Sequence, residues 1–264
     1  MPSKHRVIIF SPNRYSTYTI CVAELLRRAG VEVSAIIVRR LLNPKRLASE
    51  WVFGGARLLK KIWHKLVLRG HLQGKKNYMT LRDFMRDGNI KKKKVEDFQN
   101  DGIPCFYCDD FNEPEVLEIL EKKRPEIIFF TGGGLLREGV LQRAGDGVLN
   151  CHMGILPEYR GMDVVEWALV EGREDKVGLT VHFMDKGVDT GDILVRRLIK
   201  PKSGDTLDDL RGRFEVPMCQ ELVGAGVSWL AGNLLREPQT DAPERQYFKM
   251  HPRFTALARR ELPQ

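Results

Sequence analysis

Three short apolar runs, each broken off by a loop, constrain the fold more than any other feature. Arg6-Val7-Ile8-Ile9-Phe10 gives way to Ser11-Pro12-Asn13-Arg14, Val31 to Val38 follows Gly30, and Ile127 to Phe130 runs into Thr131-Gly132-Gly133-Gly134-Leu135-Leu136. Runs without polar alternation are strands buried on both faces, as in a parallel sheet. Between the first two, Ile20 to Ala29 reads as a helix, with Gly30 as its C-terminal stop. A strand-loop-helix-strand start of this kind predicts an α/β fold, an open, mostly parallel Rossmann-like sheet with helices on both faces. Ligands of such sheets sit beyond the carboxyl ends of the strands. Asn13 and Arg14, in the loop after the first strand, are therefore placed either to bind an anionic group or to cap the helix and face solvent.

Further along, Pro104 to Tyr107 and Gly178 to Met184 read as strands, and Gly139 to Ala144 as a short helix. Glu113 to Lys123 is a helix with Asn112 as its N-cap and Pro114 in its first turn. After Pro201 the pattern changes to two helices, Thr206 to Phe214 (capped by Asp205) and Met218 to Leu235, and then a polar tail. This divides the chain into a catalytic domain over 1–200, with a basic helical insertion at about 40–100, and a short C-terminal helical appendage and tail over 201–264. Within the insertion, Leu58 to Leu66 has helical spacing and a basic face, Lys91 to Lys94 is a charge run, and Trp51, Phe53, Trp63 and Tyr78 lie between the bases. The plain reading is a solvated lysine face. Binding to RNA, to an acidic carrier or to a membrane surface are the alternatives.

The formal net charge of +8 suits an anionic partner without specifying nucleic acid. Five cysteines, without regular spacing, indicate a reduced compartment, and Cys105-x-x-Cys108 has no second pair at zinc spacing, so no metal is implied. No apolar run approaches the roughly 18 residues of a membrane span, and the N-terminus lacks a signal-peptide pattern. A cytoplasmic protein is expected.

The chemistry concentrates in residues 148–192. Val148-Leu149-Asn150-Cys151-His152 reads as a strand end, where Asn150 and His152 share a face and Cys151 points away as a buried thiol. An imidazole moves protons near neutral pH, and an amide stabilises an oxyanion. A carboxylate would complete the set by fixing the imidazole and favouring its cation, and Asp185, Asp189 and Asp192 all stand on the next strand-turn unit.

Asn150-x-His152, then Ile155-Leu156-Pro157-x-Tyr159-Arg160-Gly161, then Val181-His182 and Val188-Asp189-Thr190-Gly191-Asp192, resembles the 10-formyltetrahydrofolate-dependent formyltransferases. These include enzymes acting on methionyl-tRNA, glycinamide ribonucleotide and nucleotide-linked amino sugars. The resemblance spans roughly residues 125–200. It selects Asp189, in the D-x-G motif, as the carboxylate beside Asn150 and His152. It implies the formyltransferase fold, with 10-formyltetrahydrofolate as co-substrate along Gly132, Gly133, Gly134, Leu135, Leu136, Asp185 and Gly187. It also implies that the loop of Tyr159 and Arg160 borders the acceptor and the folate, with Arg160 either on an anionic group or paired with a surface acid. His182 matches a family position, but a lone histidine in an apolar strand is read here as structural.

The implied activity is transfer of a formyl group to an amine, with a small nucleotide-linked amino sugar as the acceptor. The tail is shorter than the C-terminal domain of methionyl-tRNA formyltransferases, which argues against tRNA, while the basic 57–94 segment argues weakly for it; a nucleic-acid partner is not expected. Methionyl-tRNA or another amine, hydrolysis of formyltetrahydrofolate, and a non-catalytic folate-binding module are the alternatives. A homodimer stays open.

Overall fold

Alternate residues of the first apolar run face opposite cores: Val7 and Ile9 pack on one side of the sheet, Ile8 and Phe10 on the other. That is the two-faced burial a parallel strand requires. The computed structural model describes residues 5–40, 78–132, 134–240 and 245–263. Residues 41–77, which hold most of the expected basic insertion including Leu58 to Leu66, lie outside the described residues, as does Gly133.

The sheet has seven strands: β1 (Arg6–Ser11), β2 (Glu32–Arg39), β3 (Cys105–Cys108), β4 (Ile127–Phe130), β5 (Val148–His152), β6 (Gly178–Phe183) and β7 (Ile193–Leu198). Their order is β3-β2-β1-β4-β5-β6-β7. β1 to β5 run parallel, and β6 and β7 are added antiparallel. The order reverses direction between β1 and β4, which opens a crevice beyond their carboxyl ends. There the buried hydroxyls of Ser11, Thr19 and Thr131 form a ladder, with Thr131 Oγ1 donating to the Phe10 carbonyl at 2.7 Å.

Helix α1 (Thr17–Arg28) starts at Ser16, whose side chain accepts from the Thr19 N–H, and ends before Gly30 at φ +79°. Helix α2 (Leu81–Asp87) carries a capping box between Thr80 and Asp83. The lysine run beyond it folds around Asp97, whose carboxylate accepts from the backbone N–H groups of Lys93 and Lys94, while Lys92 turns inward to Asp101 at 2.6 Å. Two expected caps move by one residue. Glu113, not Asn112, stands at the N-cap of α3 (Pro114–Lys123), because Asn112 is taken up by the Leu135 carbonyl and the Arg137 N–H. Thr206, not Asp205, caps α6 (Leu207–Gly212), because Asp205 pairs with Arg213 at 2.6 Å. Between these lie α4 (Glu138–Leu141) and α5 (Val164–Val170).

The helices expected as an appendage are packed into the main core. Leu210, Phe214, Cys219 and Leu222 are fully buried in the same cluster as Ile9, Phe129 and Leu149. Helix α7 (Glu215–Leu230) lies so close to the sheet that a Cβ on Gly226 would stand 2.3 Å from the Phe129 ring. The chain ends in α8 (Pro252–Ala258). No described helix is long and apolar enough to cross a membrane.

The glycine at the α7–sheet contact makes a stability prediction. Gly226→Val should destabilise the fold by about 1–3 kcal/mol through overpacking, despite a better helix former in place of glycine. Urea denaturation reads this, and an unchanged midpoint would contradict the close packing.

Candidate active site

The register of β5 against β6 builds the polar cluster. Asn150 lies directly opposite His182, and His152 opposite Thr180, so all four side chains share one face at the strand ends. The intervening Cys151 is buried on the other face, where burial pushes its thiol well above the ordinary range. Asp189 enters from the turn between β6 and β7, in a left-handed backbone conformation at φ +54°.

The Asp189 carboxylate gathers the set. Its Oδ2 lies 3.4 Å from His152 Nδ1 and accepts the Gly161 N–H at 2.9 Å, while its Oδ1 lies 3.5 Å from His182 Nε2. Burial raises the carboxyl's pKa, but the His182 imidazole, the charge His152 can carry and the Gly161 N–H outweigh it and hold the pKa at about 2. Asp189 is therefore ionised throughout the neutral range.

The histidines are fixed by partners that can only accept. His152 Nε2 donates to the Tyr159 carbonyl at 2.8 Å, which leaves Nδ1, the nitrogen facing Asp189, as the basic atom of the neutral ring. Burial lowers the His152 pKa, with Asp189 opposing. His182 Nδ1 donates to the Phe183 carbonyl at 2.8 Å, so its Nε2 accepts from Asn150 Nδ2 at 3.2 Å. One amide hydrogen of Asn150 remains to meet a ligand oxygen.

The loop after β5 is held equally tightly. Thr180 Oγ1 donates to the Gly154 carbonyl at 2.7 Å and accepts the Leu156 N–H at 3.1 Å. A Cβ on Gly154 would stand 2.7 Å from His152 Nε2 and 2.6 Å from the Tyr159 carbonyl, so only glycine allows that hydrogen bond.

Residues 86–224 match the family model described as formyl transferase. The chain belongs to this family. Among its curated relatives is a methionyl-tRNA formyltransferase of Desulfotalea psychrophila, 38% identical over 110 residues, covering 41% of this chain and 34% of the relative. Another is that of Geobacter sulfurreducens, 31% identical over 145 residues, covering 54% of this chain and 45% of the relative. The chain thus spans between about a third and just under half of these relatives. Among solved structures, glycinamide ribonucleotide transformylase 1 from Symbiobacterium toebii superposes with a TM-score of 0.60 at 19% identity, covering 90% of this chain and 93% of that one. A sugar N-formyltransferase from a Shewanella species gives 0.56 at 14% identity, covering 96% and 79%. At these identities the structures speak for the fold.

Within this formyl transferase chain, the strand-end pair Asn150 and His152 meets Asp189 at one cluster, and His182, read from sequence as structural, stands inside it. Several expected contacts are occupied by the protein itself. Tyr159 turns away from the pocket: its buried ring stacks on Tyr247 with centroids 5.3 Å apart, and its hydroxyl donates to Glu171. Arg14 pairs with Glu96 at 2.8 Å, and the Asn13 side chain accepts the Tyr15 N–H within its own turn. Asp185 accepts from the Gly187 N–H and from Thr190 Oγ1, which closes the turn that presents Asp189. Arg160 differs. It is 8% exposed, its Nε is buried without a partner, and no described residue forms a side-chain hydrogen bond or ion pair with it. Beyond β4, Gly132 and Gly134 adopt φ +108° and +128°, Leu136 is buried, and the Leu135 side chain is 79% exposed.

The lowered Asp189 pKa has a stability consequence. A depressed carboxyl contributes stability that is present above its unfolded value of about 3.9 and lost as pH falls toward its folded value of about 2. Asp189→Asn should therefore cost about 2 kcal/mol at neutral pH and nothing further in acid. Denaturant titrations of both proteins across that window test it, and a constant gap down to about pH 2 would contradict it.

Proposed function

We propose that the protein moves the formyl group of 10-formyltetrahydrofolate to an amine. The observation that carries this reading is the ionised Asp189 set against the basic Nδ1 of a buried His152, beside the free amide hydrogen of Asn150. Attack of an amine on the formyl carbon places negative charge on the formyl oxygen and leaves an acidic proton on the attacking nitrogen. The spare Asn150 N–H faces that oxygen, an interaction worth about 3 kcal/mol in related acyl-transfer sites. His152 Nδ1 takes the proton, and the resulting cation is held between Asp189 and the Tyr159 carbonyl. The same proton is then delivered to the leaving folate nitrogen as its bond to the formyl carbon breaks. His182 keeps Asn150 in place. The glycine loop beyond β4, with the exposed Leu135 beside it, suits the face of a flat ring such as the pterin, and Asp185 and Gly187 shape the turn that carries Asp189.

The acceptor in this proposal carries an anionic group, and Arg160 supports that. Its buried Nε has no partner among the described residues, and a guanidinium with a free N–H suits an incoming phosphate. A small nucleotide-linked amino sugar supplies both the phosphate and the amine. Methionyl-tRNA is the second reading, favoured by the similarity to methionyl-tRNA formyltransferases.

Formylation assayed by mass spectrometry, with 10-formyltetrahydrofolate against a panel of nucleotide-linked amino sugars and against methionyl-tRNA, separates the two. Formate released with no amine present would instead indicate a hydrolase. Asn150→Ala, His152→Ala and Asp189→Ala should each lose transfer by about a hundredfold or more while staying folded. Full activity of the His152 variant would sink the assignment. Arg160→Ala should raise the acceptor KM about tenfold to a hundredfold, leaving the folate KM unchanged. Because burial lowers the His152 pKa, kcat/KM should hold as pH falls through about 6.5 and drop only further into acid.

A further inference from the structure

The segment after α7 returns to the site from outside the stretch that matches the family. Glu237 and Ile193 exchange both backbone hydrogen bonds at 2.9 Å, and the Glu237 carboxylate is gripped by the Arg196 guanidinium at 2.6 and 2.8 Å. Two residues on, Gln239 Nε2 donates to the Gly191 carbonyl at 2.5 Å and to the Asp189 carbonyl at 3.2 Å. Two carbonyl partners identify that end of the side chain as the nitrogen, and both of its hydrogens are used.

Those two carbonyls are the one on Asp189 itself and the one two residues on, and Asp189 stands at φ +54°, a conformation L residues adopt at a cost of about 1–2 kcal/mol. The Gln239 Oε1 atom is buried with no donor, so the side chain meets the turn at some expense to itself. Among the described residues, Gln239 is the side chain that donates to the Asp189 carbonyl.

We infer that Gln239 is a positioning residue for the reaction: its amide clamps the backbone of the Asp189 turn and thereby sets the distance from the Asp189 carboxylate to His152. The claim rests on the catalytic reading of Asp189. Releasing the clamp lets the turn relax toward ordinary backbone angles and draws the carboxylate away from Nδ1. His152 then loses the charge that favours its cation, while its other neighbours, the His182 ring and the Tyr159 carbonyl, stay where they are.

The test is Gln239→Leu in the full chain, with Gln239→Met as the second variant should the first fail to fold. Expected are a fall in kcat of about tenfold with both KM values within about twofold, and a His152 titration, followed by NMR, displaced to lower pH. In the Asp189→Asn background the same substitution should leave kcat unchanged within about twofold, because the group it positions is gone. A variant that loses thermal stability but keeps both kcat and the His152 titration would overturn the inference, as would fully additive losses in the double variant. The histidine titration needs no substrate. An unmodified protein without transferase activity would therefore refute the catalytic reading, while the titration alone still decides whether Gln239 sets the Asp189–His152 distance.

Discussion

A carboxylate taken out of water must be matched by donors, and here one carboxylate sets the positions of three chain segments. Asp189 stands 3.4 Å from His152 on β5, 3.5 Å from His182 on β6, and receives the N–H of Gly161 from the loop between them. Removing a buried ion from solvent costs several kcal/mol; the Gly161 N–H donates to the carboxylate at all times, and His152 Nδ1 does so once it is protonated. The same electrostatics that hold Asp189 ionised align the loop after β5 with the turn after β6. Losing the carboxylate removes at once the tie to the Gly161 loop and the partner of His152, because structural and chemical roles fall on the same oxygen atoms.

Much of this was legible from residue types and spacing. The apolar runs define the parallel strands, and period-two alternation places Asn150 and His152 on one face with Cys151 on the other. His182 was not legible in the same way. An apolar strand with one histidine reads as core, and His182 is indeed 1% exposed. What makes it part of the site is the antiparallel register that sets it opposite Asn150, and register across a 32-residue separation is not a local property.

The polar residues assigned to ligands illustrate a related limit. Tyr159, Arg14 and Asn13 look free in a linear chain because their partners are distant or backbone. Glu171 and Glu96 satisfy the first two, and a local turn takes the third. Asn112 and Asp205 miss their caps for the same reason, each drawn to a neighbour that only tertiary structure supplies. Arg160 is the exception that gains weight from the comparison, since it is buried and its Nε has no partner among the described residues.

The histidine at the centre has little freedom left. Its Nε2 is bonded to the Tyr159 carbonyl, and the Gly154 backbone passes so close that even a methyl group would collide with both atoms. That fixes the ring plane, and the neutral ring can be basic only at Nδ1. Protonation there produces a cation satisfied at both nitrogens, by a carbonyl on one side and a carboxylate on the other. Burial alone disfavours that cation, so its stability hinges on how near the carboxylate is held. Control over the Asp189 turn is therefore control over the proton affinity of His152. That control comes from a glutamine lying outside the family match, more than eighty residues beyond the histidine it affects.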